Sequence, residues 1–522
     1  MKPRFEPSGH GSRQRKPVRE YRAGLAALLS VSLGLACKGT PPPAAAPPAV
    51  ASPAATTSED VLEPAPEATP LPAGLEPFLK PFEGDLDGMV KRRLIRVLTV
   101  QNPVLYFVDR GREVGIVAEA FKEFEKELNQ KLGNKVVTVH VIPIPVARDQ
   151  LIPRLLAGEG DIAAAALTIT PERQAKVEFV STASGVRELV VTGPDAPPIT
   201  SVDELSGQEV YLRPSSSYAE HLRALNEGFR ARGLPPAVLV PAPEILEDGD
   251  ILEMVSAGLA PRTIVDGFMA DLYSEVFPSL RKGTAIGEPG EIGWAFRKGS
   301  PKLAQAVKTF LAEHGRGTLT GNVLLAKYLK TTKWVKNARS NEDRKRFSAM
   351  AELFKKYSAR YDFDYLLMAA QGYQESGLDQ ERRSHVGAIG VMQVMPATAR
   401  DKAVGIPDIE RLESNIHAGI KYNRWVADNF YKDEGITPLN RQLFAFASYN
   451  AGPGRVSRLR KEAANGGLDP NVWFNNVELV AAKKIGRETV VYVSNIYKYY
   501  LAYQMMIQTT AARTAAKDAV VN

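Results

Sequence analysis

The order of apolar and polar residues divides the chain into regions of different character. Residues 94–100 and 136–142 are runs of β-branched and aliphatic side chains, which are typical of buried strands. Residues 117–128 and 151–156 repeat apolar side chains at helical spacing, and residues 161–170 are a further strand candidate. This alternation predicts an α/β fold with a mainly parallel sheet, whose ligands bind beyond the carboxyl ends of the strands.

After a polar connector at residues 332–345, the periodicity becomes helical. The residues that carry the first two helical faces are Phe347, Met350, Phe354, Tyr357, Leu366, Leu367, Ala370 and Tyr373. Gly377 can end the second helix, and further helices are predicted at Pro396 and over residues 443–449 and 489–503. Because no series of strand patterns occurs here, the second region is predicted to be a compact all-α domain.

The first residues have the pattern of an export signal. A basic stretch precedes an apolar run over residues 23–36, which is too short to cross a bilayer as a permanent helix. Residues 40–75 are rich in Pro, Ala, Thr and Ser, so they predict a semi-rigid spacer. These patterns assign residues 1–36 to a signal peptide and residues 37–87 to an attachment site and linker.

Composition excludes several classes of function. The 522 residues include one cysteine, so no disulfide can form within the chain, and the six histidines include no His-Glu-x-x-His pattern of a zinc enzyme. The formal net charge is +7, but seven basic and two acidic residues before Cys37 contribute +5 of it. The small remainder argues against a nucleic-acid partner. We predict neither a metal ion nor a cofactor.

The end of the apolar run resembles the lipobox of bacterial lipoproteins. It reads Leu33-Gly34-Leu35-Ala36-Cys37, and Gly34 stands where that family usually has leucine. The resemblance implies cleavage before Cys37 and acylation of its thiol, which would attach the protein to a membrane in the periplasm, expected to be the outer membrane. The alternative is an ordinary cleaved signal followed by an incidental cysteine.

Three stretches of the α/β region resemble the family-3 periplasmic solute-binding proteins. They are residues 114–121, 155–163 and 167–173, the last reading Leu-Thr-Ile-Thr-Pro-Glu-Arg. The resemblance implies a domain over residues 88–331 with the two-lobed α/β fold of periplasmic binding proteins. Its two crossings are expected near residues 187 and 287, which makes residues 188–286 the inserted lobe.

The same resemblance implies an amino-acid site between the lobes. Arg173 stands where the family binds the α-carboxylate, because a guanidinium group matches two oxygens. Thr168 and Ser216 stand where hydroxyl groups assist, and Asp271 stands where an acidic residue takes the ammonium group. An amino acid or a muropeptide is the expected ligand, and a tethered binding domain fused to a second domain indicates a sensor.

The most specific motifs lie in the helical region. In order they are Glu375-Ser376-Gly377, residues 387–399 (GAIGVMQVMPATA), residues 415–422 (NIHAGIKY), residues 447–453 (ASYNAGP) and residues 488–493 (ETVVYV). They resemble the lysozyme-like domain of soluble lytic transglycosylases over residues 346–508, which leaves residues 509–522 as a tail. Together with the solute-binding-like domain, the chain is similar to the membrane-bound lytic murein transglycosylase F family.

Glu375 carries the chemistry that this resemblance implies. Cleaving a glycosidic bond requires a proton on the leaving oxygen, and a carboxylic acid supplies it near neutral pH when an apolar setting raises its pKa. Most glycosidases use two carboxylates, but this motif offers one, since Asp379 lies in a loop that is expected to be solvated. A single carboxylate favours substrate assistance by the N-acetyl oxygen, followed by attack of the sugar's own 6-hydroxyl. The expected reaction cuts peptidoglycan glycan strands and leaves 1,6-anhydromuramic acid ends.

Other residues receive supporting roles from the resemblance. Those expected to contact the sugar are Ser376, Ser384, Gln393, Met395, Tyr449 and Asn450. Ser376 either fixes the carboxyl group of Glu375 or caps the helix, and Met392 and Tyr492 are interpreted as core residues. Two alternatives stay open: a hydrolytic muramidase, in which water replaces the 6-hydroxyl, and a receptor whose enzyme domain is inactive.

Overall fold

A computed structural model describes residues 80–338 and 341–521, with side chains described outside residues 337–348 and 520–521. The predicted signal peptide, Cys37 and the Pro-rich spacer lie outside the described residues.

The described chain is α/β in its first half and helical in its second. The strands are β1 (Leu94–Thr99), β2 (Phe107–Asp109), β3 (Arg112–Val114), β4 (His140–Pro145), β5 (Ile162–Thr168), β6 (Glu178–Thr192), β7 (Glu209–Leu212), β8 (Val238–Pro241), β9 (Arg262–Asp266) and β10 (Arg281–Phe296). The helices up to the connector are α1 (Leu86–Arg92), α2 (Ile116–Lys131), α3 (Leu151–Leu156), α4 (Pro171–Lys176), α5 (Ser217–Ala231), α6 (Asp248–Ser256), α7 (Gly267–Val276), α8 (Pro301–His314), α9 (Leu319–Leu329) and α10 (Lys333–Ala338). The later helices are α11 (Asn341–Arg360), α12 (Tyr365–Ser376), α13 (Pro396–Arg400), α14 (Leu412–Phe430), α15 (Pro438–Ala451), α16 (Pro453–Asn465), α17 (Glu478–Lys484) and α18 (Arg487–Val521).

Six strands form one sheet in the order β4-β1-β5-β10-β6-β9. Strand β1 pairs in parallel with β4 and β5, whereas β10 is antiparallel to both β5 and β6, and β6 is antiparallel to β9. The sheet is therefore mixed, and the prediction of a mainly parallel sheet holds only for β4-β1-β5. Hydrophobic periodicity identifies buried strands but does not report the direction in which a returning strand pairs.

The two longest strands, β6 and β10, pass from one lobe to the other. Their register shifts between Ile286, which lies opposite Glu188, and Gly290, which lies opposite Val186. The crossings predicted near residues 187 and 287 fall within this irregular stretch. Beyond it the second lobe has its own apolar core, whose buried members include Leu205, Leu212, Leu222, Phe229 and Ile264.

Helix α12 is the central helix of the second half. It begins at Asp364, whose carboxylate accepts hydrogen bonds from the backbone N–H groups of Leu366 (2.8 Å) and Leu367 (3.3 Å). It ends at Gly377, whose φ of 72° gives the left-handed conformation that closes a helix and turns the chain. Residues 367–372 of α12 are buried, so this part of the helix lies in the core, whereas Glu375 and Ser376 in its last turn are half-buried.

Three stretches differ from the sequence predictions. The strand expected over residues 136–142 is β4, which begins four residues later at His140. The connector predicted at residues 332–345 contains α10 and the start of α11. The tail predicted at residues 509–522 belongs to α18, which continues to Val521. Ion pairs fix the end of α18, and apolar periodicity does not report such contacts.

Helix α18 joins the two halves of the described chain. Lys498 Nζ lies 2.6 Å from Glu125 of the first lobe, and Tyr503 Oη donates to the carbonyl oxygen of Gly111 at 2.9 Å. Farther along, Arg513 Nη2 lies 2.5 Å from Asp250 of the second lobe. One helix therefore contacts the helical domain and both lobes. Among the described residues, no helix combines the length and apolar content of a membrane span.

Candidate active site and ligand cleft

Glu375 lies in the last turn of α12, one residue before the helix ends. Its Oε1 accepts a hydrogen bond from Tyr492 Oη at 2.5 Å, and Tyr492 comes from the first part of α18. Burial raises the pKa of Glu375 from its usual 4.5 to about 7, and the hydrogen bond from Tyr492 offsets part of that rise. The group can therefore hold a proton near neutral pH and also release it, as a general acid and base must.

The loop after α12 follows Glu375 directly, and its polar side chains mostly stabilise the loop itself. Ser376 Oγ lies within donor distance of the carbonyl oxygens of Val391 (2.9 Å) and Gly372 (3.2 Å), so its hydroxyl links the end of the helix to the following loop. Gln393, at a φ of +46°, donates its amide to the carbonyl oxygens of Arg382 and Gly390.

Two other loop residues remain accessible to a substrate. Ser384 Oγ accepts a hydrogen bond from the backbone N–H of Ala388 (2.9 Å), and its side chain is half-buried. Met395 is 38% exposed, so part of its apolar side chain is open to contact. Asp379 is exposed, as its loop position predicts, and its Oδ1 accepts from the backbone N–H of Glu381.

The end of α15 contacts the same loop. Tyr449 Oη donates to the carbonyl oxygen of Met392 at 2.7 Å, which ties α15 to the loop. Asn450 Oδ1 accepts a hydrogen bond from Thr489 Oγ1 at 2.6 Å, and its Nδ2 lies 3.4 Å from Glu488 Oε1. These contacts orient the amide of Asn450 beside α18. The pKa of Tyr449 is raised by burial and by the charge of Glu375, so the tyrosine lies near the carboxyl group.

The sequence interpretation missed three polar residues behind Glu375. Tyr492 was assigned to the core, and it is buried, but its hydroxyl donates to Glu375. Gln371 donates to Tyr492 Oη at 3.1 Å, and Asn423 of α14 donates to Gln371 Oε1 at 2.8 Å. A signal was available, because Gln371 is a polar residue in an apolar helix and lies four positions before Glu375, on the same face.

A second site lies between the lobes of the first half. A cavity of about 80 Å³ is lined by residues from both lobes, among them Thr168, Arg173, Arg213, Ser216 and Tyr218. Three predicted ligand residues are thus brought together. The cavity is far smaller than the roughly 300–1,000 Å³ of small-molecule pockets, so the cleft is closed in this conformation.

Cross-cleft contacts occupy the groups that were expected to bind ligand. Arg173 Nη2 lies 2.9 Å from Glu220 Oε1 of the other lobe and donates to the carbonyl oxygen of Ser215 at 3.1 Å. Ser217 Oγ donates to Thr168 Oγ1 at 2.8 Å. A ligand carboxylate that bound Arg173 would have to replace Glu220.

Asp271 does not lie in the cleft. Its side chain is 67% exposed and its carboxylate lies 2.6 Å from Lys282 Nζ. The buried acid of this stretch is Asp266, at the carboxyl end of β9, where ligands of α/β sheets bind. Burial, together with the charges of Asp248 and Glu188, raises the pKa of Asp266 to about 8. Asp266 ends β9, whereas Asp271 lies farther along the chain, on α7. The position at the end of the strand therefore identifies the buried acid.

Two family models match separate parts of the chain. The model for transglycosylase SLT domains matches residues 352–470, and the model for bacterial extracellular solute-binding proteins of family 3 matches residues 95–330.

Curated relatives match most of the chain's length. The membrane-bound lytic murein transglycosylase F of Desulfosudis oleivorans is 28% identical over 427 residues, which cover 78% of this chain and 89% of that protein. The proteins of the same name from Pseudomonas fluorescens (27%, 80% and 85%) and Stutzerimonas stutzeri (28%, 81% and 86%) match similarly. Over most of its length the chain is similar to proteins named membrane-bound lytic murein transglycosylase F. In this chain, α18 and Tyr492 lie beyond the stretch that the SLT model matches.

Solved structures match a little under half of the chain. One is the substrate-binding protein of an amino acid ABC transporter (22% identity, 46% of this chain, 100% of that chain, TM-score 0.37). Another is an ancestral arginine-binding protein bound to arginine (24%, 45%, 98%, TM-score 0.37).

Proposed function

We propose that this protein is a peptidoglycan lytic transglycosylase in which Glu375 acts first as the general acid and then as the general base. The observation that carries the proposal is the carboxyl group of Glu375. It is held by Tyr492 at the end of a buried helix, and its pKa is raised to about 7. The relatives are named for the same activity, since murein is peptidoglycan.

The first step breaks the β-1,4 bond between N-acetylmuramic acid and N-acetylglucosamine. Protonated Glu375 gives its proton to the bridging oxygen, which leaves with the N-acetylglucosamine side of the strand. Positive charge then develops at C1 of the muramic acid sugar. The oxygen of that sugar's own N-acetyl group stabilises this carbon, so the protein needs no second carboxylate as nucleophile.

The second step closes a ring. Glu375, now a carboxylate, takes the proton of the 6-hydroxyl group, and the 6-oxygen bonds to C1 as the N-acetyl oxygen leaves it. The reaction is intramolecular and therefore favoured by proximity. No water is consumed, and Glu375 ends protonated and ready for the next cycle. Tyr492, by donating to Glu375, stabilises the carboxylate that exists between the two steps.

The groove residues position the strand in this proposal. Met395 offers an exposed apolar surface, and Ser384 lies in the adjoining turn. Gln393 and Ser376 shape the loop through their backbone contacts. On the facing side, the amides and hydroxyls that can reach a sugar or its acetamido group belong to Tyr449 and Asn450.

The decisive experiment removes the proton donor. Glu375→Gln keeps the shape of the side chain but cannot protonate the leaving oxygen, so release of muropeptides from purified sacculi should fall by about two to four powers of ten. Glu381→Gln, at an exposed glutamate in the nearby loop, is the matched control and should retain full activity. Retention of more than roughly a tenth of the activity by Glu375→Gln would exclude it as the acid.

We also propose that a small ligand binds between the lobes and regulates the reaction. Arg173 is the carboxylate partner, with Thr168 and Ser216 beside it, and these three line the closed cavity. Asp266 is a buried acid whose pKa is raised to about 8 by burial and by the charges of Asp248 and Glu188, and a ligand ammonium group beside it would favour its ionised form. An amino acid or a cell-wall peptide carries both groups.

Helix α18 supplies the physical connection for such regulation. It carries Tyr492, which contacts Glu375, and it also carries Arg513, which pairs with Asp250 of the second lobe. Asp250 in turn accepts a hydrogen bond from the backbone N–H of Glu247 (2.9 Å), and Glu247 pairs with Arg148 across the cleft (2.7 Å). Opening or closing the lobes therefore acts on a helix that positions the catalytic carboxyl group.

For localisation, we propose a periplasmic protein held to the outer membrane through a lipid on Cys37. The support is the lipobox-like sequence that ends at this single cysteine. The relatives are named as membrane-bound. A lipid anchor contributes about 0.8 kcal/mol for each buried methylene group, so several acyl chains hold a protein firmly.

A further inference from the structure

Three helices meet behind the catalytic carboxyl group through a buried row of polar side chains. The row runs from Asn423 of α14 to Gln371 of α12, then to Tyr492 of α18, and ends at Glu375. Asn423 and Gln371 are both 0% exposed. The successive donor–acceptor distances are 2.8, 3.1 and 2.5 Å, all within hydrogen-bond range.

Each bond in the row has a defined direction. Asn423 Nδ2 donates to Gln371 Oε1, which fixes the carbonyl end of the Gln371 amide. The NH₂ end of Gln371 must then point to Tyr492 Oη, where it donates. A tyrosine hydroxyl has one proton, and because its oxygen already accepts from Gln371, that proton is directed to Glu375.

We propose that Gln371 and Asn423 are positioning residues that set the direction and strength of the Tyr492 hydrogen bond to Glu375. This inference rests on the proposed role of Glu375 as the acid. Neither residue touches the substrate in this arrangement, and both act through Tyr492. A hydroxyl that accepts a hydrogen bond becomes a better donor, so Gln371 strengthens the bond that Tyr492 makes.

The chemistry of the row is unlike that of a packing contact. Residues 367–370 of α12 are apolar, and Gln371 is the polar residue that follows them in the buried stretch. An apolar pair at positions 371 and 423 would fill similar space. Burying two amides carries a penalty of about 1–3 kcal/mol for each one left without a partner. A polar pair at this depth is therefore expected to have a role that an apolar pair cannot perform.

The row has a predictable effect on acidity. The titratable groups that the charge of Glu375 affects are Tyr449 and Tyr492, whose pKa values are raised by burial and then by that charge. Burial raises the pKa of Glu375, and the hydrogen bond from Tyr492 lowers it. A weaker Tyr492 bond therefore leaves Glu375 protonated to higher pH, and the alkaline limb of the pH–rate profile moves upward.

A double-mutant cycle in the full chain tests the proposal. The variants are Gln371→Leu, Tyr492→Phe and the double mutant. Their activity is assayed on short uncrosslinked glycan strands at pH values from about 5 to 9, spread evenly around neutral pH. In the parent chain, where Tyr492 is intact, Gln371→Leu should lower kcat about tenfold, which corresponds to about 1.4 kcal/mol, with little change in KM. Its alkaline limb should move up by about 0.3 pH unit. In the Tyr492→Phe background, the same substitution should change neither quantity.

A second variant controls for a general loss of the native fold. Gln371→Leu combined with Asn423→Leu leaves no buried amide without a partner, and it should reproduce the kinetics of Gln371→Leu with a normal melting temperature. An equal fall in kcat with and without Tyr492, or an alkaline limb that does not move, would contradict the proposed positioning role. Gln371 would then be a structural residue. Activity in Glu375→Gln would instead overturn the proposed function, so the two failures are distinguishable.

Discussion

At the scale of single residues, Glu375 shows how function and stability oppose each other. A carboxyl group with a pKa of about 7 in the folded chain and 4.5 when unfolded is protonated more readily in the folded state. Below pH 4.5 both states are protonated, and no penalty exists. As pH rises from 4.5 to about 7, Glu375 ionises first in the unfolded chain, and the free energy of unfolding falls. Above about pH 7 the group is ionised in both states, and this loss of stability levels off.

This leads to a prediction about folding that is independent of activity. Glu375→Gln removes the titratable group, so the variant should be more stable than the parent at pH 8 by about 1–3 kcal/mol and nearly equal to it at pH 4. Urea unfolding of the full chain at both pH values measures the difference. The exposed Glu381→Gln should show no such pH dependence. Equal stability of Glu375→Gln and the parent at pH 8 would contradict the raised pKa.

The role of a residue could be predicted from the sequence where the residue belongs to a motif. It could not be predicted where the role depends on tertiary contacts alone. Motifs single out Glu375, Tyr449 and Asn450, whereas the hydrogen bond of Tyr492 to Glu375 joins residues 117 positions apart along the chain. Asp271 and Asp266 are five residues apart in one acidic stretch. Which of them is buried depends on where β9 ends, and the apolar pattern does not locate that boundary.

At the scale of elements, α18 is the feature that the sequence described least well. Apolar periodicity predicted a helix over residues 489–503, but the helix extends from Arg487 to Val521. Its last part is polar, and Arg513 and Lys517 are ion-paired with Asp250. Such contacts stabilise a helix without an apolar stripe, so a sequence reading assigns the segment to a tail.

A pair of substitutions tests whether α18 couples the two sites. Arg173→Ala should abolish the heat of binding of amino acids and muropeptides and also abolish their effect on the lytic rate. Arg513→Ala should leave the heat of binding but weaken the effect, because it removes one of the two ion pairs that α18 makes with Asp250 of the second lobe. The ligand effect in the parent is expected to be about 5- to 150-fold.

Matched controls come from exposed neighbours on the same helices. Lys176→Ala lies on α4 with Arg173, and Thr514→Ala lies beside Arg513 on α18. Both should keep the parent's binding and its response. A full response in Arg513→Ala would show that coupling does not pass through this end of α18, and no heat with any ligand would reduce the two-lobed domain to a spacer.

At the scale of the whole molecule, the anchor sets where the enzyme meets its substrate. Cys37→Ser should release the protein from the membrane fraction into the soluble periplasmic fraction, because it removes the thiol that would be acylated. Fractionation of cells that express the full chain measures this release. A Ser32→Cys, Cys37→Ser double substitution tests whether a thiol at another position can be acylated instead. A Cys37→Ser protein that remains with the membranes would place the attachment elsewhere.

The central claim is that cleavage closes a ring without water. Digestion of sacculi by the full chain in water enriched in heavy oxygen, followed by mass spectrometry of the released muropeptides, tests it most directly. We expect every new muramic acid end to be one water lighter than the reducing form and to carry no heavy oxygen. Reducing ends that contain heavy oxygen would contradict this account and identify a hydrolytic muramidase.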